Sequence, residues 1–287
     1  MEKIKIKSYC KINLSLNVIK KMKNGYHAIN SIITFCNLHD VISITKNKKL
    51  NDNITFTGMF KTGINKKFNT ITHLLNLLRK DKILVNQFFK INVKKNIPHG
   101  SGLGGGSSNA AYLLNYLDDK MKLKLNTKYM NLIANKIGND VPIILKKKNS
   151  FLNGKRGKIV RSNKKFKLNL LIVYPYIVCS TKKIFQSNRK MSSVKLNNPF
   201  NSLNKKNLIG YLVKERNDLQ QTVIRLHPKV KKIISYIKSL KGCYFSRITG
   251  SGSACIGIFS NIKNANDAKR AINLKYPNYW CAVSKTI

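Results

Sequence analysis

The first sixty residues alternate between apolar and polar positions in short runs. Alternation with a period of two predicts β-strands that bury one face. Glycine and asparagine interrupt the runs at Lys23-Asn24-Gly25 and at Asn51-Asp52-Asn53, where we expect turns. The predicted strands are Lys3–Tyr9, Ile12–Ile19, Ile29–Phe35, Val41–Thr45 and Ile54–Thr57.

Beyond residue 60, apolar positions at helical spacing appear between further strand-like runs. Ile71, Leu74, Leu75 and Leu78 mark one helix, with Asn69 and Thr70 as possible N-caps. Later helices are predicted at Thr127–Ile137, from Ser180-Thr181, at Pro228–Leu240 and at Asn264–Leu274. Strands are predicted at Phe89–Lys94, Leu168–Tyr174, Cys243–Ile248, Ala254–Phe259 and Tyr279–Ser284. We interpret the basic stretch Lys155–Lys167 as a domain joint, which predicts an α+β chain with domains at 1–160 and 161–287.

The segment Pro98–Ala111 carries five of the sixteen glycines, at Gly100, Gly102, Gly104, Gly105 and Gly106. It lies between the strand that ends at Lys94 and a helix marked by Ala110, Leu113, Leu114 and Leu117. Such a loop can turn several backbone N–H groups toward an anion, and the helix start adds its own free amides. Ser107 and Ser108 suit the helix start, as caps or as phosphate donors. The alternative is a flexible loop, which would not need so many glycines beside a well-patterned helix.

Two familiar phosphate loops fit this segment poorly. A Walker A loop needs Lys followed by Ser or Thr after its last glycine, but Gly106 is followed by two serines. Gly100, Gly102 and Gly105 satisfy G-x-G-x-x-G by letters alone. The acidic ribose ligand of a dinucleotide fold should end a second strand, whereas Asp118 and Asp119 end a helix. The sequence thus indicates a different phosphate-binding loop.

The net charge of +45, from 55 Lys and Arg against 10 Asp and Glu, favours anionic partners such as nucleotides, phosphorylated metabolites or nucleic acid. The lysines are spread along the chain, however, and Asn and Ile are abundant as well. Codon drift toward A and T would produce this composition, so a solvated lysine-rich surface is the alternative. Charge alone therefore does not decide the function.

The six cysteines and the apolar runs restrict the class of protein further. The cysteines lie far apart without a C-x-x-C pair, which predicts buried thiols and neither a metal cluster nor a disulfide framework. The N-terminal residues alternate and lack the apolar core of a signal peptide. The longest apolar run, around Leu168 to Val178, is too short to span a bilayer. These features predict a cytoplasmic protein with no membrane partner.

A few polar residues stand out as candidates for chemistry. Asp140 precedes the apolar run Val-Pro-Ile-Ile-Leu, so it is either a carboxylate at the mouth of buried structure or a helix-terminal turn residue. Lys11 interrupts an apolar strand, although a lone lysine is normally solvated. Tyr26-His27 combines a stacking face with a polar donor, or is a core tyrosine beside a surface histidine. The second glycine cluster, Thr249–Ser253, is either hairpin turn chemistry or functional.

The pattern Pro-x-x-x-Gly-Leu-Gly-Gly-Gly-Ser-Ser at residues 98–108 resembles the second conserved motif of the GHMP kinases, small-molecule kinases whose glycine loop wraps the ATP phosphates. Further segments resemble the family in its order, and together they cover nearly the whole chain. They are Cys10–Leu14, Asn24–His27, Gly138–Pro142, Ser180–Lys182 and Thr249–Ser253. Asn109 and Ser101 depart from the usual Asp and Ala or Gly, and neither removes a phosphate donor.

Within the family, the resemblance is strongest to members that phosphorylate the 2-hydroxyl of 4-diphosphocytidyl-2-C-methyl-D-erythritol in the non-mevalonate isoprenoid pathway. It implies that Asp140 accepts the hydroxyl proton and that Lys11 steadies this carboxylate. The implied nucleotide-binding residues are Asn69, Lys95, Pro98, Gly100, Gly102, Leu103, Gly104, Gly105, Gly106, Ser107 and Ser108. The implied substrate residues are Asn13, Tyr26, His27, Thr181, Phe185, Gly250 and Ser251, with Tyr26 and Phe185 on either side of the cytosine.

The resemblance also implies an architecture and partners. We expect an N-terminal domain with a ribosomal-protein-like, left-handed βαβ unit and a ferredoxin-like C-terminal domain, with the active site in the cleft between them. ATP and Mg²⁺ are the expected cofactors, no residue is assigned to the metal, and the protein is expected to be a monomer or weak homodimer. Two alternatives remain: a homoserine- or mevalonate-type GHMP kinase, whose acceptor has no base to stack, and a basic nucleic-acid-binding protein, although the lysines are unclustered.

Overall fold

The computed structural model describes residues 4–22, 25–154, 158–192, 198–200 and 204–287. The strands are β1 Ile4–Lys21, β2 His27–Asn47, β3 Asn53–Thr57, β4 Phe88–Lys94, β5 Asn149–Asn153, β6 Lys158–Ser162, β7 Asn169–Tyr174, β8 Cys243–Ile248, β9 Cys255–Phe259 and β10 Trp280–Lys285. The helices are α1 Thr70–Lys80, α2 Gly105–Lys120, α3 Thr127–Ile137, α4 Val141–Ile144, α5 Thr181–Gln186, α6 Lys205–Lys214, α7 Gln220–Leu226, α8 Lys229–Ser239 and α9 Ile262–Lys275. None of these helices has the length and apolar character needed to cross a membrane.

The chain packs into two compact units that interleave along the sequence. Unit 1 consists of Met1–Cys10, Leu38–His99 and Gly104–Lys147. Unit 2 consists of Lys11–Asn37, Gly100–Leu103 and Lys148–Ile287. Both long N-terminal strands and the glycine loop therefore contribute to both units. The division at residue 160 made from the sequence stays a prediction.

Unit 1 is built around β4 and the helices that follow it. β4 pairs antiparallel with the second half of β2 and parallel with β3, and α1 connects β3 to β4. The predicted face of α1 is confirmed, since Ile71, Leu74, Leu75 and Leu78 are all buried. The β3–α1–β4 connection is thus a βαβ unit, as expected, and its predicted left hand stays a prediction.

Unit 2 contains a four-stranded antiparallel sheet in the order β10-β7-β9-β8. Helices α5 to α8 connect β7 to β8, a tight turn connects β8 to β9, and α9 connects β9 to β10. This β-α-β-β-α-β connectivity is the ferredoxin-like one, so that prediction is confirmed. The core between the sheet and its helices includes Leu171, Val173, Val223, Ile233, Ile237 and Ile272.

The sequence misplaced several element boundaries. The two predicted strands on either side of Cys10 are a single strand, β1, and those on either side of Leu38 are a single strand, β2. No glycine or proline interrupts the alternation at either point, so the strands continue. The predicted domain joint contains β6, which pairs antiparallel with β5. Lys23, Asn24 and residues 155–157 lie outside the described residues, and Gly25 has the left-handed φ of +80° expected in the predicted turn. Helices α6 and α7 were not predicted.

The expectation of buried thiols holds for four of the six cysteines. Cys10, Cys36, Cys179 and Cys255 are buried, and Cys243 and Cys281 are half-buried. All six are free. Burial raises the pKa of the Cys179 thiol to about 11, so it is uncharged at neutral pH.

Candidate active site

The backbone of the glycine loop alternates between left-handed and ordinary conformations. Gly100, Gly102 and Gly104 have φ values of +63°, +83° and +68°, which L side chains adopt only at a cost. Between them, the side chains of Ser101 and Leu103 are buried and anchor the loop. The alternation therefore explains why glycine occupies every second position here.

Within unit 2, four consecutive carbonyl oxygens of the loop accept hydrogen bonds. Gly100 O accepts from Cys179 N at 2.9 Å, and Ser101 O accepts from Ala254 N at 3.0 Å. Lys11 serves the next two, with Nζ 3.3 Å from Gly102 O and its backbone N 3.1 Å from Leu103 O. Because a trans peptide points its N–H opposite to its C=O, the four following N–H groups face away from these donors. This is the arrangement that an anion-binding loop needs.

The start of α2, in unit 1, has free amides of its own. Its N-cap is Gly104, and no side chain caps the helix, so the predicted capping by Ser107 or Ser108 is wrong. The left-handed Gly104 lets the helix begin at Gly105, two residues before Ser107, which places both serines in the first turn. Ser108 Oγ is buried and has no hydrogen-bond partner among the described residues. Uncapped amides and an unused hydroxyl at a helix start fit a phosphate group.

Other predicted residues of unit 1 lie around this helix start. Asn69 caps α1 by accepting from Ile71 N and Thr72 N, both at 3.0 Å. The adjacent Thr70 Oγ1 donates to Gly106 O at 2.8 Å, which ties the starts of α1 and α2 together. Pro98 is buried directly before the loop.

Asp140 lies at the N-cap position of the buried helix α4, and it is half-buried. It makes no side-chain cap hydrogen bond to this helix. A Cβ built on the nearby Gly138 would lie 3.8 Å from Ser107 Oγ, which places this segment beside the first turn of α2. Asp140 and the second half of the glycine loop thus belong to one neighbourhood in unit 1.

Lys95 and Asp40 form a buried ion pair in unit 1. Lys95 is 2% exposed and Asp40 is fully buried. The ammonium donates to Asp40 Oδ2, and Asp40 Oδ1 accepts from Asn96 N and Ile97 N at 2.7 and 2.9 Å. The ammonium of Lys95 is therefore held by Asp40, and its predicted contact with the nucleotide stays a prediction.

Lys11 and Asn13 project from β1 into the interior of unit 2. Both side chains are 3% exposed, so Lys11 is not the solvated lysine that is the normal expectation. Its Nζ donates to Asn13 Oδ1 at 2.6 Å, and Asn13 Nδ2 donates to Ser31 Oγ at 2.8 Å. These bonds hold the ammonium at Gly102 O. The predicted pairing of Lys11 with Asp140 stays a prediction, because the two residues belong to different units.

The second glycine cluster packs directly on the first. A Cβ on Gly102 would lie 2.1 Å from Thr249 O, and one on Gly250 would lie 2.8 Å from Gly102 O. Thr249 Oγ1 accepts from Asn13 N at 2.8 Å. The two glycine segments therefore touch backbone to backbone, which only residues without side chains allow.

The predicted substrate residues of unit 2 form two small groups. The rings of His27 and Phe185 lie 5.2 Å apart at 33°, and Tyr26 is 59% exposed next to them in the chain. Thr181 Oγ1 and Ser251 Oγ are 3.0 Å apart. Burial and the nearby Lys21 charge lower the pKa of His27 below its ordinary value, so its imidazole is neutral at pH 7. A neutral imidazole can both donate and accept a hydrogen bond.

Sequence reasoning missed several polar residues that support the site. Asn217 Nδ2 donates to Ile248 O and Gly250 O, and Arg247 donates to Leu14 O and Leu212 O. These bonds join segments more than 30 residues apart, so no local pattern reveals them. The burial of Asp40 could have been predicted from the sequence, since it alternates with the buried Ile42 and Ile44 on one face of β2.

Two family models match this chain. The model for the N-terminal domain of GHMP kinases matches residues 69–147, and the model for the C-terminal part of GHMP kinases matches residues 203–278. The first match contains the glycine loop and Asp140.

Similar proteins match over the full length. A protein of Pelagibacter ubique (strain HTCC1062) named 4-diphosphocytidyl-2-C-methyl-D-erythritol kinase is 39% identical over 100% of both chains. A crystal structure of a 4-(cytidine 5'-diphospho)-2C-methyl-D-erythritol kinase superposes with a TM-score of 0.75 at 22% identity, over 98% of this chain and 99% of the other. A homoserine kinase from Cytophaga hutchinsonii gives 0.74 at 16% identity, over 100% and 95%. Kinases that act on different acceptors superpose on this chain almost equally well, so the structural similarity shows the fold alone. Only the sequence identity distinguishes between these kinases.

Proposed function

The chain belongs to the GHMP kinases, and on that premise we propose that it transfers the γ-phosphoryl group of ATP to the 2-hydroxyl of 4-diphosphocytidyl-2-C-methyl-D-erythritol, a step in making isoprenoid precursors. The observation that carries the choice of acceptor is the full-length, 39% identical relative that bears this activity in its name. The mixed α+β fold is shared with kinases of several acceptors, so it supports the reaction type and leaves the acceptor to the sequence.

The glycine loop supports the phosphate-binding part of the proposal. Its carbonyl oxygens at residues 100–103 are taken by donors of unit 2, which leaves the following N–H groups for an anion. The start of α2 is uncapped and has free amides of its own. The buried Ser108 hydroxyl adds an unused donor. Phosphoryl transfer asks a protein mainly to position reactants and to spread charge, and these groups do both.

Asp140 and Lys11 supply the remaining chemistry. The 2-hydroxyl oxygen bonds to the γ-phosphorus while the bond from that phosphorus to the β,γ-bridging oxygen breaks, and ADP leaves. Asp140 accepts the hydroxyl proton, and the Lys11 ammonium offsets the negative charge that develops. Since the proton leaves late from a loose transition state, the base mainly has to be positioned at the hydroxyl.

The acceptor's cytosine is assigned to the aromatic residues of unit 2. His27 and Phe185 already lie within ring-contact distance, and the exposed Tyr26 offers a second face. Ring faces bind any base, and a hydrogen bond from neutral His27 to the base edge makes the choice selective. Asn13, Thr181 and Ser251 are polar residues for the sugar and phosphate side.

The ion and the assembly follow from the same proposal. Mg²⁺ is expected to bind largely through the ATP phosphates, because this ion keeps several waters and takes few protein ligands. We expect a monomer or weak homodimer that works in the cytoplasm without a nucleic-acid partner.

ADP release with Mg-ATP tests the proposal. The purified protein is given the cytidyl acceptor, homoserine, mevalonate or no acceptor, and the product mass is recorded. We expect release with the cytidyl acceptor alone. Release with homoserine or mevalonate would identify another GHMP kinase. Release with none would refute the proposal, and salt-resistant nucleic-acid retention on filters would then favour the basic-protein alternative.

A further inference from the structure

Asp40 is a fully buried carboxylate that lies outside the residues assigned so far. Its two oxygens accept three hydrogen bonds, from the N–H groups of Asn96 and Ile97 and from the Lys95 ammonium. Asn96 Nδ2 also donates to His39 O at 2.9 Å, next to Asp40 in β2. A buried charge is tolerated only when it is paired and hydrogen-bonded, and here every donor comes from residues 95–97. Asp40 therefore holds this three-residue segment against β2.

Residues 95–97, which Asp40 holds in place, support the phosphate-binding turn, and we call them the platform. Residues 95–97 follow β4 and lead directly into Pro98 and the glycine loop. A Cβ on Gly105, in the first turn of α2, would lie 3.0 Å from Ile97 Cγ2 and 3.4 Å from Lys95 Nζ. The backbone of Gly105 thus rests on Ile97 and on the Lys95 ammonium. A shift of the segment would shift the amides above it.

The contact between Gly105 and the Lys95 ammonium depends on the negative charge of Asp40. The amide end of a helix carries a partial positive charge, so a buried ammonium beside it is unfavourable unless an anion offsets it. Asp40 is that anion, because it forms the buried ion pair with Lys95. Without the carboxylate charge, the buried ammonium loses its ion-pair partner, and we expect it to leave the position on which Gly105 rests.

We propose that Asp40 is a positioning residue for ATP, which acts through Lys95 and residues 95–97 to fix the phosphate-binding amides at the start of α2. This inference rests on the proposed function, because it assumes that these amides bind the nucleotide phosphates. It assigns no contact between Asp40 and ATP.

Asp52 provides a matched control in the same unit. Its Oδ1 accepts from Phe89 N at 2.9 Å and from Arg79 Nη2 at 2.8 Å. Like Asp40, it is a largely buried carboxylate that joins a cation to a backbone N–H group, which for Asp52 is that of Phe89 in β4. It does so at the end of β4 remote from the glycine loop. Asp52→Asn therefore reproduces the loss of a structural ion pair without touching the platform.

The experiment measures nucleotide binding as well as turnover. Binding of a non-hydrolysable ATP analogue with Mg²⁺ is followed by calorimetry for the wild type, Asp40→Asn, Lys95→Met, the double variant and Asp52→Asn. The KM values for ATP and for the acceptor are measured beside urea unfolding. We expect Asp40→Asn to weaken nucleotide binding about tenfold, since a charged hydrogen bond is lost, with the acceptor KM unchanged. Asp52→Asn should lose stability without losing nucleotide affinity.

The double variant tests whether Asp40 acts through Lys95. If it does, the two substitutions are not additive, and Asp40→Asn costs little or nothing once Lys95 is Met. If the losses of nucleotide affinity in Asp40→Asn and Lys95→Met multiply in the double variant, the proposal is overturned. Equal losses of affinity in Asp40→Asn and Asp52→Asn would overturn it as well. If Asp40→Asn does not fold, Lys95→Met is compared with the double variant, where equal affinity supports the proposal and a further loss overturns it.

The same data separate failure of the two proposals. A wild-type protein that binds no ATP analogue would refute the proposed function. Wild-type binding together with an unimpaired Asp40→Asn variant would refute the positioning role alone.

Discussion

Replacing Gly102 with alanine tests the contact between the two glycine segments. The new Cβ would lie 2.1 Å from Thr249 O and 3.0 Å from Gly252 N, while φ is +83°. Real Cβ atoms essentially never come closer than 3.0 Å to such a neighbour, so the backbone must separate by about an ångström. Gly252 N donates to Thr249 O at 3.0 Å, and this bond holds the turn that has to move.

Three terms add to the cost of this substitution. A left-handed alanine costs about 1–2 kcal/mol, crowding of a packed interior costs about 1–3 kcal/mol, and a disturbed turn hydrogen bond costs about 1 kcal/mol. We therefore expect Gly102→Ala to lower the free energy of unfolding by roughly 3–6 kcal/mol. Activity should be lost too, because the loop amides move with the backbone.

Three other glycines of unit 2 separate these terms. Gly25 has a φ of +80°, and a Cβ built on it meets no atom of the described residues within 4 Å, so its alanine variant should lose only about 1–2 kcal/mol. A Cβ built on Gly154 would lie 2.4 Å from Ile29 N, and Gly154 does not have a left-handed φ. The Gly154→Ala variant therefore measures the cost of the clash alone. Gly210, inside α6, meets nothing within 4 Å, so Gly210→Ala should stabilise by about 0.5–1 kcal/mol.

Urea unfolding followed by circular dichroism ranks the four variants, and ADP release is measured on each. The expected order of stability is Gly210→Ala first, then the wild type, Gly25→Ala and Gly102→Ala, and Gly154→Ala also falls below the wild type. If Gly102→Ala is as stable as Gly25→Ala, the backbone contact does not require glycine at position 102, and the reasoning is refuted. Full activity in a destabilised Gly102→Ala variant would show that the contact between the two glycine segments stabilises the fold but is not needed for activity.

Three further predictions concern single side chains. Asp140→Asn should fold normally and lose roughly 10²–10⁴-fold in kcat, as expected for a lost general base; near-full turnover would remove Asp140 from the mechanism. Tyr26→Ala should raise the KM for the cytidyl acceptor with kcat little changed, because stacking adds binding and not charge stabilisation, whereas a pure kcat defect would argue against stacking. His27 should titrate below pH 6.5 in NMR spectra; since its folded pKa is lowered, stability falls as pH drops below the unfolded value, and a midpoint above 6.5 would contradict the assigned environment.

Local patterns predicted those parts of the fold that local contacts determine. The buried face of α1, the bounds of α3 and the strand, glycine loop and helix around residues 88–120 all follow from spacing within one segment. The order of the ferredoxin-like strands came from the family resemblance. It could not come from periodicity, because period two says which face is buried and not which strand is the neighbour.

The sequence predicted which residues form the candidate site, but it did not predict the hydrogen bonds and ion pairs that hold them in place. Lys11, Asp140 and the glycines were identified by motif, but their burial and partners were not. Asp40 pairs with Lys95 across 55 residues, and Asn13 meets Thr249 across 236. Such contacts form only when the chain folds back on itself, so a sequence window does not contain them.

The interleaving of unit 2 has a consequence for synthesis of the protein. Leu16 and Val18 of β1 share a core with Leu219, Val223 and Ile248, which leave the ribosome some 200 residues later. At about 5–20 residues per second, β1 waits roughly ten seconds or more for these partners. Pairing with β2 satisfies only one edge of its backbone during that time. The N–H groups of Leu16 and Val18 still wait for Arg216 O and Asp218 Oδ2, and one apolar face stays uncovered. A nascent chain that stops before β8 therefore presents the strand that carries Lys11 to chaperones and proteases, and quality control can distinguish a truncated product by its first strand.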